Sequence, residues 1–267
     1  MKNKIKILLV IIIVFFPIKI SNSNEFELKS ENIIVKENGN LIEAKGDVEV
    51  ITNNNIEIMG ENAKLNKEKS ILEIFGNVIL KDNDKDLEIK SQYMVYNKKE
   101  DLIFIKGNTY AKLDGRYNIK SKNLYYNNSK KIIFSDEKSE LKDNRGNKIT
   151  VSKFNLNLDS NLAKLFGITF EDQDKNIFNL NEAFLDIASD KIVGKDIKLN
   201  FDKNIFGNEE NDPRLYGNSM ISDENTTIIN KGVFTSCKIR ENDKCPPWMI
   251  KAEEVKHDKK KKIINYK

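Results

Sequence analysis

The chain has few of the residues that carry most enzymatic or metal chemistry. Its 267 residues include one histidine and two cysteines. No G-x-S-x-G, H-E-x-x-H or P-loop pattern occurs. The acid pairs Glu209-Glu210 and Glu253-Glu254 are adjacent, so on a strand their side chains point to opposite faces and form no carboxylate dyad. We therefore expect no enzymatic activity, no metal site and no cofactor.

The chain also lacks net charge once its N-terminus is set aside. Residues 1–23 have a basic start, an apolar run from Ile7 to Phe16 and small residues at Ser21–Ser23, which is typical of a secretory signal peptide. The alternative is a retained membrane anchor, for which the run is short of a span of about 20 residues. Removing the four lysines of this segment leaves 41 basic and 41 acidic residues. We expect an exported protein without a nucleic-acid partner.

A block of about thirty residues recurs along the chain. Its copies begin at positions 30, 60, 91, 121 and 152, so the spacing is 30, 31, 30 and 31, and later copies begin at 194 and 252. The clearest copies are Gly60–Asn66, Ser91–Asn97 and Ser121–Asn127. A fixed period of this size indicates one supersecondary unit stacked on copies of itself.

Each copy has the same internal pattern. A small residue is followed six positions later by a turn-forming Asn or Asp, as at Asn66 and Asn97. A Gly-Asn or Gly-Asp pair follows ten residues after the turn, as at Gly76 and Gly107. Apolar and polar residues alternate between these positions, which predicts half-buried strands. The fold class is therefore all-β, with two or three short strands in each block.

Two features that suggest chemistry have simpler explanations. His257 occupies the position of Leu65 and Tyr96 in other copies, so we interpret it as an ordinary strand residue. Cys237 and Cys245 lie eight residues apart in a chain expected to be exported. They can form a disulfide with each other, or one of them can pair with a cysteine outside this chain, and the residues do not decide between the two. Two cysteines without a nearby histidine do not make a zinc site.

Residues 203–249 depart from the repeat. They contain the polar loop before Pro213, the run Gly232–Cys237 and the segment Cys245–Trp248, whose two prolines exclude a central strand. Ala252 resumes the repeat, which stops in mid-strand at Lys267. We expect three regions: a signal peptide at 1–23, strand repeats at 24–202, and at 203–267 a cysteine-containing segment with a last repeat whose final strand needs a further partner or domain.

These segments together resemble a known family. The repeats, with Asp212–Gly217, Lys231–Cys237, Cys245–Trp248 and Ala252–Asp258, are similar to the N-terminal periplasmic, OstA-like part of the outer-membrane assembly protein LptD of alphaproteobacteria. The repeats alone are shared with LptA and LptC. The resemblance implies a twisted, open β-jelly roll that carries lipopolysaccharide from a periplasmic bridge to an outer-membrane β-barrel, assisted by the lipoprotein LptE.

The resemblance also implies site residues and partners. Lipid A acyl chains would occupy a slot lined by inward-facing apolar residues, for which the candidates are Val48, Val50, Ile58, Ile74, Val78, Leu80, Ile89, Ile105 and Ile119. The alternative is that these residues fill a closed core. Cys237 and Cys245 would be disulfide partners, and an LptA-like bridge protein would dock by adding a strand to an open edge.

Two other functions remain open from the residues alone. One is a free-standing bridge protein of the LptA or LptC kind. It would bind lipid in the same way as the LptD part, but it would have different protein partners. The other is an extracellular β-solenoid adhesin or polysaccharide-active protein, which predicts a stacked acidic or aromatic site on one face. The repeat positions show no acidic stack.

Overall fold

The computed structural model describes residues 27–52, 56–144, 146–172, 174–207, 210–239, 246–261 and 263–267. The predicted signal peptide and Cys245 lie outside these residues. Within them, the structure consists of strands and three short 3₁₀ helices, Glu37–Gly39, Asn83–Lys85 and Lys203–Phe206. The expected all-β, antiparallel jelly-roll class is confirmed.

Nineteen strands make up the described part of the chain. They are β1 (Glu27–Lys29), β2 (Asn32–Lys36), β3 (Leu41–Ile51), β4 (Ile56–Asn66), β5 (Ile71–Asp82), β6 (Leu87–Asn97), β7 (Leu102–Leu113), β8 (Tyr117–Asn127), β9 (Ile132–Ser135), β10 (Ser139–Lys142), β11 (Lys148–Val151), β12 (Lys153–Asn157), β13 (Leu162–Glu171), β14 (Ile177–Asp186), β15 (Lys191–Asn200), β16 (Arg214–Ser222), β17 (Thr226–Thr235), β18 (Ile250–Asp258) and β19 (Ile263–Tyr266).

The strands form one antiparallel meander. From β3 to β8 and from β13 to β19, each strand pairs with the next one along the chain. We call each successive strand position across the sheet a rung. Most rungs are one long strand, but three consist of two short strands placed end to end. Strands β1 and β2 both pair with β3, β9 and β10 both pair with β8, and β11 and β12 both pair with β13. The nineteen strands therefore form sixteen rungs.

The thirty-residue repeat corresponds to two strands. Strands β3 to β8 have 11 or 12 residues each, so the expectation of two or three short strands per block underestimated their length. The predicted Asn turns are confirmed. Asn66 Oδ1 accepts from the Lys69 N–H at 2.9 Å, and Asn127 Oδ1 accepts from the Lys130 N–H at 2.9 Å.

The strands bend at their midpoints, because every pairing from β3 to β8 shifts register there by a β-bulge. The Gly-Asn pair of the repeat forms this bulge: at Gly76 φ is +78° and at Asn77 +44°, a region that favours glycine. The small first residue of the next copy lies beside it, since Val78 pairs with Ser91. These positions, which we call the bend, explain why the repeat alternates a glycine pair with a small residue.

Polar contacts between distant rungs show that the bent sheet forms two layers. Strands β5 and β8 are three rungs apart, or about 14 Å within a sheet. Yet the Tyr126 hydroxyl of β8 donates to Asp82 Oδ2 of β5 at 2.5 Å. Lys85 Nζ, after β5, likewise lies 2.6 Å from Asp159 Oδ1, after β12. The half of each strand before the bend and the half after it therefore belong to layers that face each other.

The first layer contains the strand halves next to the turns at 67–70, 98–101 and 128–131. The second contains the halves next to the turns at 83–86 and 114–116. The two sets of turns meet along one side of the molecule, which we call the seam, opposite the bend. Its polar contacts involve Asp82, Lys85, Arg116, Tyr117, Tyr126, Lys131, Asp159, Ile187 and Asp190.

The meander continues across residue 202. Strand β15 pairs with β16 on either side of the 3₁₀ helix Lys203–Phe206, although the loops at 201–213 and 236–249 are longer than the repeat turns. The boundary between regions 24–202 and 203–267 stays a prediction. In the described ranges, no helix has the length and apolar character needed to cross a lipid bilayer.

Candidate functional site

The space between the two layers is lined by rows of apolar side chains that cross the whole sheet. One row lies in the second layer, where each member is the cross-strand partner of the next. It consists of Leu28, Val50, Ile58, Leu80, Ile89, Ala111, Ile119, Leu141, Ile149, Phe170, Phe178, Leu199, Leu215, Phe234 and Ile250. No polar residue interrupts it over about 65 Å of sheet, at about 4.8 Å per rung.

A second inward row lies in the first layer. It begins at Ile33 and continues through Ala44, Ala63, Ile74, Met94, Ile105 and Leu124. Beyond the rung formed by the short strands β9 and β10, the row resumes at Phe154. It continues through Leu165, Ala183, Gly194, Met220, Ile229, Val255 and Tyr266. The two rows pack against each other as one apolar core.

All nine predicted lining residues lie in this interior. Val50, Ile58, Leu80, Ile89 and Ile119 belong to the second-layer row. Ile74 and Ile105 belong to the first-layer row, and Val48 and Val78 lie at the bend. Each is at most 1% exposed. They are therefore core residues in this closed arrangement, and their contact with a lipid stays a prediction.

The interior is open at both ends of the sheet. Ile33 and Val35 of β2 face the same side as the buried Ala44, but they are 48% and 60% exposed. At the other end, Ile264 and Tyr266 of β19 continue the inward face and are 51% and 67% exposed. The apolar rows therefore reach solvent at the first and the last described strands, where their outermost side chains have no covering layer.

The middle of the seam contains a buried polar cluster that sequence reasoning missed. The Asp82 side chain is 1% exposed and accepts from the Tyr126 hydroxyl and from Lys131 Nζ, the latter at 2.8 Å. The Tyr96 hydroxyl donates to Asp101 Oδ1 at 2.5 Å. Burial, and then the bond to the carboxylate, raises the pKa of both phenols, so they stay neutral donors at physiological pH. The only signal in the sequence is an Asp at the end of an otherwise apolar inward alternation.

A second seam contact lies farther along the chain. The Tyr117 hydroxyl hydrogen-bonds the Asp190 carboxylate, and Arg116 Nη2 donates to the Ile187 carbonyl at 2.9 Å. These pairs are separated by 73 and 71 residues. The layers are thus joined at intervals by polar contacts, while the space between these contacts and the bend is apolar.

The outer face of the sheet has its own cross-strand row. Phe104, Tyr125 and Phe134 stack face to face with ring centroids 4.9 Å apart. Farther along the same row, Phe184 and Val193 are each 41% exposed. The stacking covers both faces of Tyr125 and one face each of Phe104 and Phe134, so these faces are not available to a ligand.

Glu182 lies beside this outer row between two lysines. Its carboxylate is 2.9 Å from Lys164 Nζ and 2.6 Å from Lys195 Nζ, and these hydrogen bonds lower its pKa to about 2. The stabilisation is present above the unfolded pKa of 4.5 and is lost as the pH falls toward 2.

We expect a side-chain NMR titration of Glu182 to have its midpoint near 2, and the Lys164→Met substitution to raise that midpoint. A midpoint near 4.5 in the unsubstituted chain would show that the pairs do not form in solution.

The segment after β17 is fixed by backbone carbonyls. Arg214 Nη1 donates to the carbonyl oxygens of Asp212 and Cys237 at 2.8 and 2.6 Å. The Thr235 hydroxyl donates to the Trp248 carbonyl at 2.8 Å. This arrangement gives the Asp212–Gly217 and Gly232–Cys237 runs a structural role, because they fix Asp212, Cys237 and Trp248 beside the ends of β16 and β17.

The two cysteines are not seen together. Cys237 is half-buried, with its Sγ 3.9 Å from the Trp248 carbonyl oxygen, and Cys245 lies outside the described residues. The disulfide stays a prediction.

His257 is a strand residue of β18, paired with Thr227 and Ile264. Burial, followed by nearby Lys259, lowers its pKa. In the ranges that the structure describes, no group of three His, Cys, Asp or Glu side chains is arranged to hold a metal ion.

The fold and its interior define an all-β protein in which one antiparallel sheet bends into two layers around an apolar core. No family model and no curated protein sequence matches the chain. Among solved structures, it is similar to LptH of Pseudomonas aeruginosa, the LptA homologous periplasmic component of the conserved lipopolysaccharide transport device. That similarity has a TM-score of 0.37 and 10% identity, and it covers 41% of this chain and 80% of that one. A similarity of this extent leaves the function to be argued from the chain's own residues.

Proposed function

We propose that this protein is a non-enzymatic periplasmic carrier that conducts lipopolysaccharide toward the outer membrane, with the acyl chains held between its two layers. The observation that carries the proposal is the uninterrupted second-layer row from Leu28 to Ile250. It is longer than a small domain needs for a core, and it is continuous from β1 to β18.

Energetics favour such an interior for a lipid with several acyl chains. Burial of one methylene stabilises by about 0.8 kcal/mol, so one chain of a dozen carbons costs about 10 kcal/mol to expose to water. A carrier must shield several chains at once while letting them move along it. An apolar row without polar interruptions shields every position equally and offers no preferred stopping point.

The open ends support a relay with neighbouring proteins. The exposed apolar residues Ile33 and Val35 at one end, and Ile264 and Tyr266 at the other, lie on strands with an unpaired outer edge in the described sheet. A strand of a second jelly roll can pair with such an edge and extend both the sheet and the apolar rows. An LptA-like bridge protein is the partner that fits this chemistry.

The finer proposal is that the chain is the N-terminal part of an LptD-type assembly protein, which feeds an outer-membrane β-barrel together with an LptE-like lipoprotein. The support is the sequence resemblance at Asp212–Gly217, Lys231–Cys237 and Cys245–Trp248. The gene downstream of Lys267 distinguishes it from a free-standing bridge protein. Barrel-type strands of about ten residues favour the former, and a stop codon favours the latter.

A polysaccharide-binding function has less support. Sugar rings bind to exposed aromatic faces, but the outer aromatic rings of Phe104, Tyr125 and Phe134 stack on one another. Acidic residues form no outward row there either, since the positions preceding Phe104 in the row are Val95, Glu73 and Lys64.

A photo-crosslinking amino acid placed at Val78 or Ile89 tests the proposal. In cells, we expect light-dependent adducts with lipopolysaccharide at both positions, because both side chains face the interior. The matched control is Glu68, an exposed turn residue of the same region, which should give none. Absence of adducts at both interior positions, with the protein folded and exported, would overturn the proposal.

A further inference from the structure

The cluster around Asp82 differs from the other polar contacts across the seam because its carboxylate is buried, with the Asp82 side chain 1% exposed and that of Asp159 59% exposed. Asp82 is at the second-layer end of β5, whereas Tyr126 and Lys131 belong to the first layer at the end of β8 and in the following turn. Asp82 Oδ1 also accepts from the Lys85 N–H at 3.2 Å, so both carboxylate oxygens are used. Lys131 in turn donates to Asn128 Oδ1 at 2.9 Å.

This contact closes the interior where the predicted lining residues are most deeply buried. Leu80 is two residues before Asp82 on the same inward face and is 0% exposed. The cross-strand partners of Leu80 are Ile58 and Ile89, which are also 0% exposed. An acyl chain can reach these side chains from the side only if the layers separate at the seam, and separation there breaks both bonds to Asp82.

Apolar side chains would close the seam without the desolvation that a buried ion pair requires. A charged contact has a different property, because its bonds to the opposite layer can be exchanged for water when the layers part, whereas apolar surfaces oppose exposure. Buried polar contacts are suited to an element with two arrangements.

We propose that Asp82, Tyr126 and Lys131 form a latch that holds the two layers closed over the interior, and that release of this latch admits an acyl chain through the seam. The inference rests on the proposed function for the identity of the ligand. The opening itself is a property of the fold and can be measured without any lipid.

A pair of equivalent substitutions tests the opening. Tyr126→Phe removes the phenol that bonds Asp82 across the layers, and Tyr96→Phe removes the phenol that bonds Asp101 within the first layer. Both phenols are buried and both donate to a carboxylate. The readout is the rate of maleimide labelling of a cysteine introduced as Leu80→Cys, in the purified chain with both native cysteines replaced by serine. We expect Tyr126→Phe to accelerate labelling about tenfold and Tyr96→Phe less than about twofold.

A distant cysteine separates local opening from general loss of stability. Ile229→Cys places the label in β17, far from the latch and 2% exposed in the unsubstituted chain. Its labelling rate should not respond to Tyr126→Phe. Equal acceleration by the two tyrosine substitutions, or equal acceleration at both cysteines, would overturn the latch. Lys131→Met provides a second latch variant and should act in the same direction as Tyr126→Phe.

A second experiment, which uses lipopolysaccharide, distinguishes failure of the latch from failure of the proposed function. With a photo-crosslinker at Ile89, Tyr126→Phe should raise the initial rate of lipopolysaccharide adduct formation, and Tyr96→Phe should not. If labelling of Leu80→Cys responds but no variant ever forms an adduct, the latch stands and the lipid carrier does not. If adducts form at the same rate in every variant and labelling is also unchanged, the carrier stands and the latch is overturned.

Discussion

Replacement of Lys131 by methionine is expected to lower the free energy of unfolding by about 3–5 kcal/mol, because it leaves the Asp82 carboxylate buried without its ion partner. Asp82 is 1% exposed and Lys131 18% exposed at their side chains, so solvent screens the pair little. Urea denaturation of the purified chain, followed by circular dichroism, measures the change. Hydrogen exchange should show the loss of protection at the end of β5 and at the end of β8, since the pair joins β5 to the turn that follows β8.

Two companion variants give this prediction its control. Asp82→Leu with Lys131→Met removes both charges, and we expect it to recover most of the lost stability. Lys85→Met breaks the seam pair with Asp159, whose side chain is 59% exposed, and it should cost no more than about 1 kcal/mol. If Lys131→Met has as small an effect as Lys85→Met, Asp82 and Lys131 are not paired in solution.

Replacement of Ser121 by leucine is expected to lower the free energy of unfolding by about 2–4 kcal/mol, because Ser121 is buried beside the bend and a larger side chain has to displace its neighbours. Ser121 is 8% exposed, and its hydroxyl donates to the Asn123 carbonyl at 2.9 Å and accepts from the Ser139 hydroxyl at 3.0 Å. Leucine loses these bonds and also separates the strand from its neighbours. Thermal unfolding and urea denaturation both report the change.

The contributions of volume and hydrogen bonding can be separated at this position. Ser121→Ala loses the hydroxyl without adding volume, and we expect it to cost about 1 kcal/mol. Ser129→Leu adds the same side chain at an exposed turn and should have little effect. A Ser121→Leu variant as stable as Ser121→Ala would mean that the bend has space, and that the small residue in each repeat has another cause.

The periodic features of the structure could be predicted from the sequence. The Asn turns were predicted, and the Gly-Asn pair at Gly76 and the small residue at Ser91 were found at fixed spacing, although the β-bulge that the pair forms was not predicted. The burial of Val50 and Ile89 follows from period-two alternation, since a residue on one face stays on that face until a bulge intervenes. Local rules therefore identified both the strands and the residues that face inward.

The seam was beyond prediction because its contacts depend on how the sheet curves. Tyr126 and Asp82 are 44 residues apart, and Lys85 and Asp159 belong to different repeats at different positions within the repeat. A comparison of repeat copies aligns each residue with its equivalents, whereas the seam joins residues that are not equivalent. The degree of closure of the interior, on which any lipid function depends, is set by this curvature.

The offset between the two sides of the seam has a consequence for how the protein acquires its fold as the chain emerges N-terminus first, from a ribosome or from an export channel. Asp82 emerges well before Lys131, its partner 49 residues later. Tyr117 has to wait for Asp190, which follows it by 73 residues. Each new hairpin can therefore add to the growing sheet before the opposite layer exists to cover its apolar face. The emerging chain carries a moving stretch of uncovered strands, and this stretch is where a chaperone would be needed and where aggregation would begin.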